Sequence, residues 1–323
     1  MALTALLPQA ERAFAADVRA GLMRSPQKEL SSRYLYDTIG SGLFEVITAL
    51  PEYGVTRAEE RIVRSHAAAM VSRLPAHGLV AELGSGSGRK TRWLLEAIGR
   101  RHPVTYCPVD ISPTALALCR HELADIPGVR VVGYERDYLD GLRQIASERK
   151  GSTPLLVLFL GSTIGNFRRL AATRFMREVR ALLHPGDAFL LGVDLLKPES
   201  QLLPAYDDAL GVTAAFNLNL LARINRELGG QFDLRRFAHE ARFDADTRSV
   251  DMHLRSLDDQ QVSIPGADLV VRFERNETIW TESSHKYLAE EVAVMGEIAG
   301  FRCDGQWIDR IWPFADTLFG VGP

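Results

Sequence analysis

The feature of this sequence that most constrains its fold is a regular alternation of apolar runs and helix-patterned segments over residues 79–196. Apolar runs of strand length lie at 79–83, 104–111 and 154–164, and segments with apolar residues at helical spacing separate them. Strands that are apolar along their whole length are buried on both faces, as in parallel sheets covered by helices. The alternation therefore predicts an α/β domain with a parallel sheet and right-handed crossovers.

The alternation stops after residue 196. Residues 200–240 are mostly helical in pattern, and 253–284 predict antiparallel strands. An amphipathic helix over 288–300 and a closing pair of strands then complete the sheet. We therefore predict two domains, one formed by residues 57–196 plus 285–323 and one formed by residues 1–56 plus 197–284.

The stretch AELGSGSGRKTR follows the first predicted strand and partly matches two phosphate-binding motifs. A phosphate loop needs glycine immediately before its lysine, because the backbone wraps the phosphate there, but Arg89 precedes Lys90. The dinucleotide fingerprint needs its third glycine at that same position, so it is excluded too. The remaining glycines, Gly84, Gly86 and Gly88, let the backbone pass close under a ligand without a pyrophosphate.

This glycine loop resembles the cofactor loop of S-adenosylmethionine-dependent methyltransferases. Asp110 ends the next strand, 22 residues after Gly88, where a carboxylate can accept hydrogen bonds from both ribose hydroxyls. Asp137 follows the third strand, at the place of an adenine-contacting acid. Lys90 is either a contact to the cofactor carboxylate or a solvated lysine in the first helical turn, and the local sequence leaves both open.

The fourth predicted strand ends in FLGSTIGNF, which places Asn166 at the carboxyl edge of the sheet. Ligands of open α/β sheets bind outside the carboxyl ends of the strands. A side-chain amide at this edge can donate to a substrate carboxylate, although asparagine is equally typical of a turn or a cap. The residue alone leaves the two interpretations open.

Composition limits the other classes of partner. The net charge is −3 and the arginine pairs are scattered, so we expect no nucleic-acid partner. Three cysteines without C-x-x-C spacing and eight dispersed histidines predict no disulfide framework and no metal site. No apolar run is long enough to span a membrane, and the N-terminal stretch MALTALLPQAERAF is too short in its apolar run for a signal peptide. We expect a cytoplasmic protein without a membrane partner, and a monomer.

Six stretches, in one order and over nearly the whole chain, resemble the histidine Nα-methyltransferase family of ergothioneine biosynthesis. They are LYDTIGSGLFEVITALPEYGVTRAE, ELGSGSGRKTR, PVDIS, LFLGSTIGNF, AYDDALGVTAAFNLNLLARINRELG and TESSHKY. The stretches LPEY with TRAE, GSTIGNF and GVTAAFNLNLL are the most restrictive. The resemblance implies a class I Rossmann-like methyltransferase sheet that binds S-adenosylmethionine, with an inserted α+β domain that binds the substrate.

The resemblance also implies site residues by position. The cofactor-binding residues would be Gly84, Gly86, Gly88, Lys90, Asp110, Asp137 and Tyr138. The residues around the substrate would be Asn166 and Tyr206 at its carboxylate, and Tyr53, Met252, Glu282 and Ser284 at its imidazole. The catalytic residues would be Tyr36 and Asn166. The sequence departs from the family at Gly54 and Val55, where an aromatic residue and a proline usually follow LPEY.

The implied residue types suit an imidazole. Glu282 can accept from a ring N–H, while Tyr53 and Ser284 can donate or accept at the ring edge. Met252 offers an adaptable apolar wall. A pocket that pairs every polar atom of its substrate rejects analogues strongly, because they leave buried polar groups unpaired.

The implied reaction is an in-line displacement in which a neutral α-amine takes a methyl group from S-adenosylmethionine, without a metal. Three successive transfers to L-histidine would give hercynine. Proton removal is open between Tyr36 and bulk water. Two alternatives remain at this point: N-methylation of another amino acid, such as tryptophan, and a catalytically silent protein that binds S-adenosylmethionine.

Overall fold

The computed structural model describes residues 9–75, 78–151 and 153–322, with the backbone alone for 9 and 10. Residues 1–8, which belong to the stretch considered above as a signal peptide, lie outside the described residues. No helix in the described ranges is both long enough and apolar enough to cross a membrane.

The chain divides into two compact units. The sheet unit comprises Gly54–Lys197 and His285–Pro323, and the second unit comprises Met1–Tyr53 and Pro198–Ser284. The chain therefore passes between the units after residues 53, 197 and 284, where the sequence placed domain boundaries after residues 56, 196 and 284.

The helices and strands follow the chain in this order. The helices are α1 (Gln9–Leu22), α2 (Thr38–Ala49), α3 (Val55–Ser72), α4 (Arg92–Gly99), α5 (Pro113–Leu123), α6 (Tyr138–Glu148), α7 (Arg169–Ala181), α8 (Glu199–Leu202), α9 (Val212–Leu228) and α10 (Ala289–Ile298). The strands are β1 (Lys28–Glu29), β2 (Leu79–Leu83), β3 (Val104–Asp110), β4 (Val129–Val131), β5 (Tyr134–Glu135), β6 (Leu155–Phe159), β7 (Ala188–Asp194), β8 (Phe237–Asp244), β9 (Ser249–Ser256), β10 (Gln260–Ile264), β11 (Leu269–Phe273), β12 (Thr278–His285), β13 (Arg302–Asp309) and β14 (Phe314–Gly320).

The sheet unit is built on one large sheet with the strand order β13-β14-β7-β6-β2-β3-β4, and β5 also pairs with β3. The strands from β7 to β4 are parallel, whereas β14 is antiparallel to both β7 and β13. This order confirms the predicted class I Rossmann-like methyltransferase sheet. The closing strand pair is confirmed as β13 and β14.

The strands and helices of the sheet unit bury their apolar side chains in one core, as the apolar runs of the sequence predicted. Every residue of β6 and β7 is buried, and α6, α7 and α10 contribute apolar side chains to the same cluster. The strand predicted over 154–164 is nevertheless too long, since β6 ends at Phe159. Gly161 and Ser162 have φ values of +75° and +61°, and this left-handed backbone cannot continue a strand.

The second unit contains a four-stranded sheet, β1-β12-β9-β8, and a separate antiparallel hairpin of β10 and β11. Helix α9 packs against α2 and β8. The prediction that residues 200–240 are mostly helical is confirmed up to Arg236, but the last residues of that range belong to β8, which begins at Phe237. As an edge strand paired only with β9, β8 is mostly half-buried and lacks the clear apolar alternation that would have distinguished it.

The three segments where the chain enters or leaves the sheet unit are fixed to one buried pair, Asp194 and Trp312. Lys197 and Lys286 place their Nζ atoms 2.6 Å and 2.9 Å from the Asp194 carboxylate. The Trp312 Nε1–H donates to Asp194 Oδ1 at 3.0 Å. A Cβ at Gly54 would overlap the Trp312 ring, so the position of this ring requires glycine there.

The charge of Asp194 should therefore be important for stability. Burial opposes its ionisation, but Lys286 and Lys197 outweigh that effect and lower the pKa of Asp194. Asp194→Asn would leave two buried lysines without a counter-charge, and we expect a loss of about 3–5 kcal/mol in the free energy of unfolding, measured by urea titration. The control is Asp125→Asn, which removes an exposed ion pair with Arg92 and should leave stability unchanged. Equal unfolding midpoints for the two variants would contradict this account.

Candidate functional site

The sheet order creates a ligand-binding edge between β2 and β6. Strand β2 pairs in parallel with β3 on one side and with β6 on the other, so the strand order reverses there. A crevice opens at such a reversal because the connections leave the two carboxyl ends in opposite directions. The glycine loop follows β2, and the segment Gly161–Asn166 follows β6.

The glycine loop has the backbone that its composition predicts. Gly84, Gly86 and Gly88 have φ values of +72°, +52° and +70°, a region that favours glycine. The Gly84 N–H donates to the Val109 carbonyl at 2.8 Å, and the Gly88 N–H donates to the Ser85 carbonyl at 3.0 Å. Among the described residues, no atom lies within 4 Å of a Cβ built at Gly86. The middle of the loop thus presents bare backbone to open space.

Asp110 binds this loop. Its Oδ2 accepts from the Gly86 N–H at 3.1 Å, and its Oδ1 accepts from the Ser112 N–H at 2.9 Å. Burial raises the pKa of Asp110, and these backbone hydrogen bonds oppose the rise. Ser112 caps α5 and Pro113 begins it, as predicted from the sequence. A carboxylate has further lone pairs beyond these two bonds, so ribose hydroxyls remain possible partners.

Tyr138 lies against the same loop. A Cβ built at Gly84 would be 3.2 Å from the Tyr138 ring, whose centroid is 5.4 Å from that of Phe159. Asp137 is the exposed N-cap residue of α6, directly before Tyr138. The structure therefore brings Tyr138 and Asp110 to the glycine loop, and it places Asp137 at the adjacent helix start.

Lys90 is half-buried, with 19% of its side chain exposed, and it is paired with an acid, so it is not the fully solvated lysine of the second alternative. Its Nζ forms an ion pair with Glu59 of α3, whose side chain has no exposed surface. Burial alone would lower the pKa of Lys90, but the charge of Glu59 raises it overall. Sequence reasoning missed Glu59, although this acid lies between the buried Ala58 and Ile62 on the apolar face of α3.

Asn166 ends a short 3-10 helix, Thr163–Asn166, after β6. The segment before it is fixed by hydrogen bonds. Ser162 Oγ accepts from the Asp194 N–H at 2.9 Å, and both Glu59 carboxylate oxygens accept from the Gly161 N–H, at 2.7 Å and 3.0 Å. Asn166 is therefore held at the carboxyl edge of the sheet, as predicted from its position after the strand.

In the second unit, the three tyrosines implied by the resemblance belong to one aromatic cluster. The Tyr53 and Tyr206 ring centroids are 6.2 Å apart, and Phe44 lies 6.2 Å from Tyr53. Tyr36 lies 5.5 Å from both Phe44 and Phe216. Residues from α2, α9 and the connections beside them thus converge, although they are far apart in the chain.

Strand alternation brings the other implied residues to one face. The Ser283 hydroxyl donates to Asp251 of the neighbouring strand β9, so these two side chains share a face of the sheet. Successive side chains of a strand point to opposite faces. Glu282, Ser284 and Met252 therefore project to the other face.

Tyr206 also lies at this face, and hydrogen bonds hold both its side-chain hydroxyl and its backbone carbonyl. Its hydroxyl donates to Ser284 Oγ at 2.8 Å. His239 Nε2 lies 2.7 Å from the Tyr206 carbonyl, which can only accept, so Nε2 carries the proton. The Asn217 side chain lies 2.9 Å from His239 Nδ1. His239 and Asn217 were not predicted, and only the restrictive stretch GVTAAFNLNLL, which contains Asn217, pointed to this region.

The comparisons with known proteins identify the family. Residues 14–321 match the family model described as histidine-specific methyltransferase, SAM-dependent. The chain belongs to this family.

Members with similar sequences carry matching names. The chain is 40% identical to "Histidine N-alpha-methyltransferase" of Mycolicibacterium smegmatis, over 96% of this chain and 95% of that protein. It is also 40% identical to the protein of that name from Mycobacterium tuberculosis, over 94% and 93%. It is 30% identical to "Ergothioneine biosynthesis protein 1" of Neurospora crassa, over 87% of this chain and 32% of that longer protein.

The methyl donor of this enzyme is S-adenosylmethionine, and the residues at the sheet edge suit it. The open backbone at Gly86 gives room for a nucleoside, and Asp110 offers acceptors beside it. Within the described part of the chain, no three histidine, cysteine or acidic side chains are grouped as a metal site would require.

A pair of glycine substitutions tests the loop. Gly86 and Gly151 both have positive φ, +52° and +59°, and no described atom lies within 4 Å of a Cβ at either position. Alanine at either position should therefore lower stability similarly, by about 1 kcal/mol. Only Gly86→Ala should also weaken S-adenosylhomocysteine binding, by about tenfold or more in calorimetry, because its methyl group would enter the space assigned to the nucleoside. Equal affinities for the two variants would refute this assignment.

Proposed function

We propose that the protein transfers methyl groups from S-adenosylmethionine to the α-amine of L-histidine, three times, to give hercynine, the first step of ergothioneine biosynthesis. Family membership and the names of the relatives support the substrate. The observation that carries the proposal is the face of the second unit on which Glu282, Ser284 and Met252 lie, with Tyr206 bonded to Ser284.

This face has the groups that an imidazole needs. Glu282 would accept from a ring N–H, and the Ser284 hydroxyl, which is bonded to Tyr206, would donate or accept at the ring edge. Met252 would form an apolar wall. Because Tyr206 and Ser284 are already bonded, little side-chain freedom would be lost when substrate binds.

The carboxylate and the amine would be handled by different residues. Asn166 and Tyr206 would bind the substrate carboxylate, and Tyr53 would close the imidazole site. Tyr206 would donate its hydroxyl proton to the carboxylate, and its bond with Ser284 would reverse, so that the Ser284 hydroxyl donates to the Tyr206 oxygen. This leaves the amine as the unclamped end, which three successive transfers require. S-adenosylmethionine supplies a methyl group on a sulfonium, which is a good leaving group. The main task of the chain is therefore to align the amine with that methyl group.

The proposed catalytic residues are Asn166 and Tyr36. Asn166 would fix the distance of the amine by holding the carboxylate beside it. Tyr36 lies between Phe44 and Phe216, which limit the motion of its ring. It would assist loss of the amine proton to water before each transfer.

We further propose that the protein acts as a monomer in the cytoplasm on a free amino acid, without a nucleic-acid or membrane partner. The net charge of −3 and the free cysteines Cys107, Cys119 and Cys303 support this setting.

The direct test of function is a product assay. The purified protein is incubated with S-adenosylmethionine and, separately, with each of the twenty amino acids, and the products are read by mass spectrometry. We expect a gain of three methyl groups on histidine alone. Methylated tryptophan without methylated histidine would favour the alternative substrate, and the absence of any methylated amino acid would favour a silent binding protein.

Substitution of Glu282 tests the imidazole site. Glu282→Ala removes the acceptor for the ring N–H, and we expect kcat/KM for histidine to fall by about 100-fold. Binding of S-adenosylhomocysteine should not change. The matched control is Glu290→Ala, an exposed acid in the first turn of α10, which should leave kcat/KM unaltered. The assignment fails if Glu282→Ala retains the histidine kcat/KM of the unmodified enzyme.

A further inference from the structure

Three fully buried acids and one half-buried lysine form a cluster in the sheet unit, next to the glycine loop. They are Glu59, Glu82, Asp316 and Lys90. A Cβ at Gly192, within β7, would overlap Glu59 Oε1 and lie 3.1 Å from Asp316 Oδ1. Only glycine at this strand position leaves room for the Glu59 carboxylate, so the sheet itself accommodates this acid.

The single lysine of this cluster pairs with Glu59. Among the described residues, the oxygens of Asp316 have no hydrogen-bond partner. Burial raises the pKa of Asp316 well above its ordinary value, and the neighbouring Glu59 carboxylate raises it further. Burial also raises the pKa of Glu82 to about 7, although Tyr106 donates to it. The contact between the Lys90 and Glu59 side chains is thus the ion pair of the cluster.

Glu59 also binds the loop on the other side of the strand-order reversal. Both of its carboxylate oxygens accept from the Gly161 N–H, at 2.7 Å and 3.0 Å. Gly161 has a φ of +75° and begins the segment that ends at Asn166. One buried carboxylate therefore binds Lys90 after β2 and the backbone after β6.

We infer that Glu59 is a positioning residue for methyl transfer, which orients Lys90 toward the cofactor and the Gly161–Asn166 segment toward the substrate. Its charge maintains the Lys90 cation, which burial would otherwise disfavour. Its oxygens fix the backbone that carries Asn166. This inference rests on the proposed roles of Lys90 and Asn166.

Two substitutions at Glu59 separate these effects. Glu59→Gln keeps an acceptor oxygen for the Gly161 N–H but removes the charge. We expect its Kd for S-adenosylhomocysteine to rise about tenfold, with little change in the KM for histidine. Glu59→Ala removes both the charge and the acceptor oxygen, so the Kd for S-adenosylhomocysteine and the KM for histidine should both rise. Asp316→Asn, in the same cluster but outside the ion pair, is the control and should match the unmodified enzyme in both measurements.

A double-mutant cycle distinguishes positioning from general structural support. If Glu59 acts on the cofactor through Lys90, then Glu59→Gln should not weaken S-adenosylhomocysteine binding further in a Lys90→Met background. Lys90→Met leaves the buried Glu59 carboxylate without its counter-charge, whereas the double variant removes both charges of the pair. If either single variant fails to fold, the double variant still decides the question, because its Kd for S-adenosylhomocysteine should then rise by about tenfold and no more. Additive losses in Kd, or an unchanged Kd in Glu59→Gln, would overturn the inference.

The binding measurements contain no amino acid. A failure of histidine methylation in the unmodified enzyme would therefore sink the proposed function without affecting the outcome of the Kd cycle. Conversely, an unchanged Kd in Glu59→Gln would leave the proposed function standing.

Discussion

The parallel pairing of β2 with both β3 and β6 is the constraint on which the cofactor side of this enzyme depends. Parallel neighbours end at the same edge of the sheet, so the glycine loop, Asp110 and the segment before Asn166 meet there. The hydrogen bond from the Gly86 N–H to Asp110 then fixes the loop to the end of the next strand. The site residues of the sheet unit thus follow from strand order first and from side-chain chemistry second.

Buried charges fix the backbone at the places where function is expected. Taking an ion pair out of water is costly, and a well-packed apolar pair is often as stable. The sheet unit nevertheless contains Lys90 with Glu59, and Asp194 with Lys197 and Lys286. The first pair lies at the strand-order reversal, and the second group lies where the chain passes between the units. Their positions suggest that directional bonding at these points outweighs the cost of burial.

In the second unit, strand alternation and side-chain hydrogen bonds order the polar groups. Alternation along β12 brings Glu282 and Ser284 to one face, and the bond from Tyr206 to Ser284 adds a residue from 78 positions earlier in the chain. Packing of Tyr36 and Tyr53 with Phe44 and Phe216 then restricts the rings. Histidine specificity would therefore come from polar atoms that are already bonded before substrate arrives.

The sequence by itself determined the features that depend on local pattern: the buried strands, the capped start of α5, the left-handed glycine loop without a phosphate motif, and the family. These follow because periodicity, capping and backbone freedom act between near neighbours. Only the tertiary structure decided the partners of those residues, such as Glu59 for Lys90, His239 for Tyr206 and the strand β8. Each of these depends on groups distant in the chain that meet when the sheet forms, or on an edge strand whose half-buried faces leave no clear period.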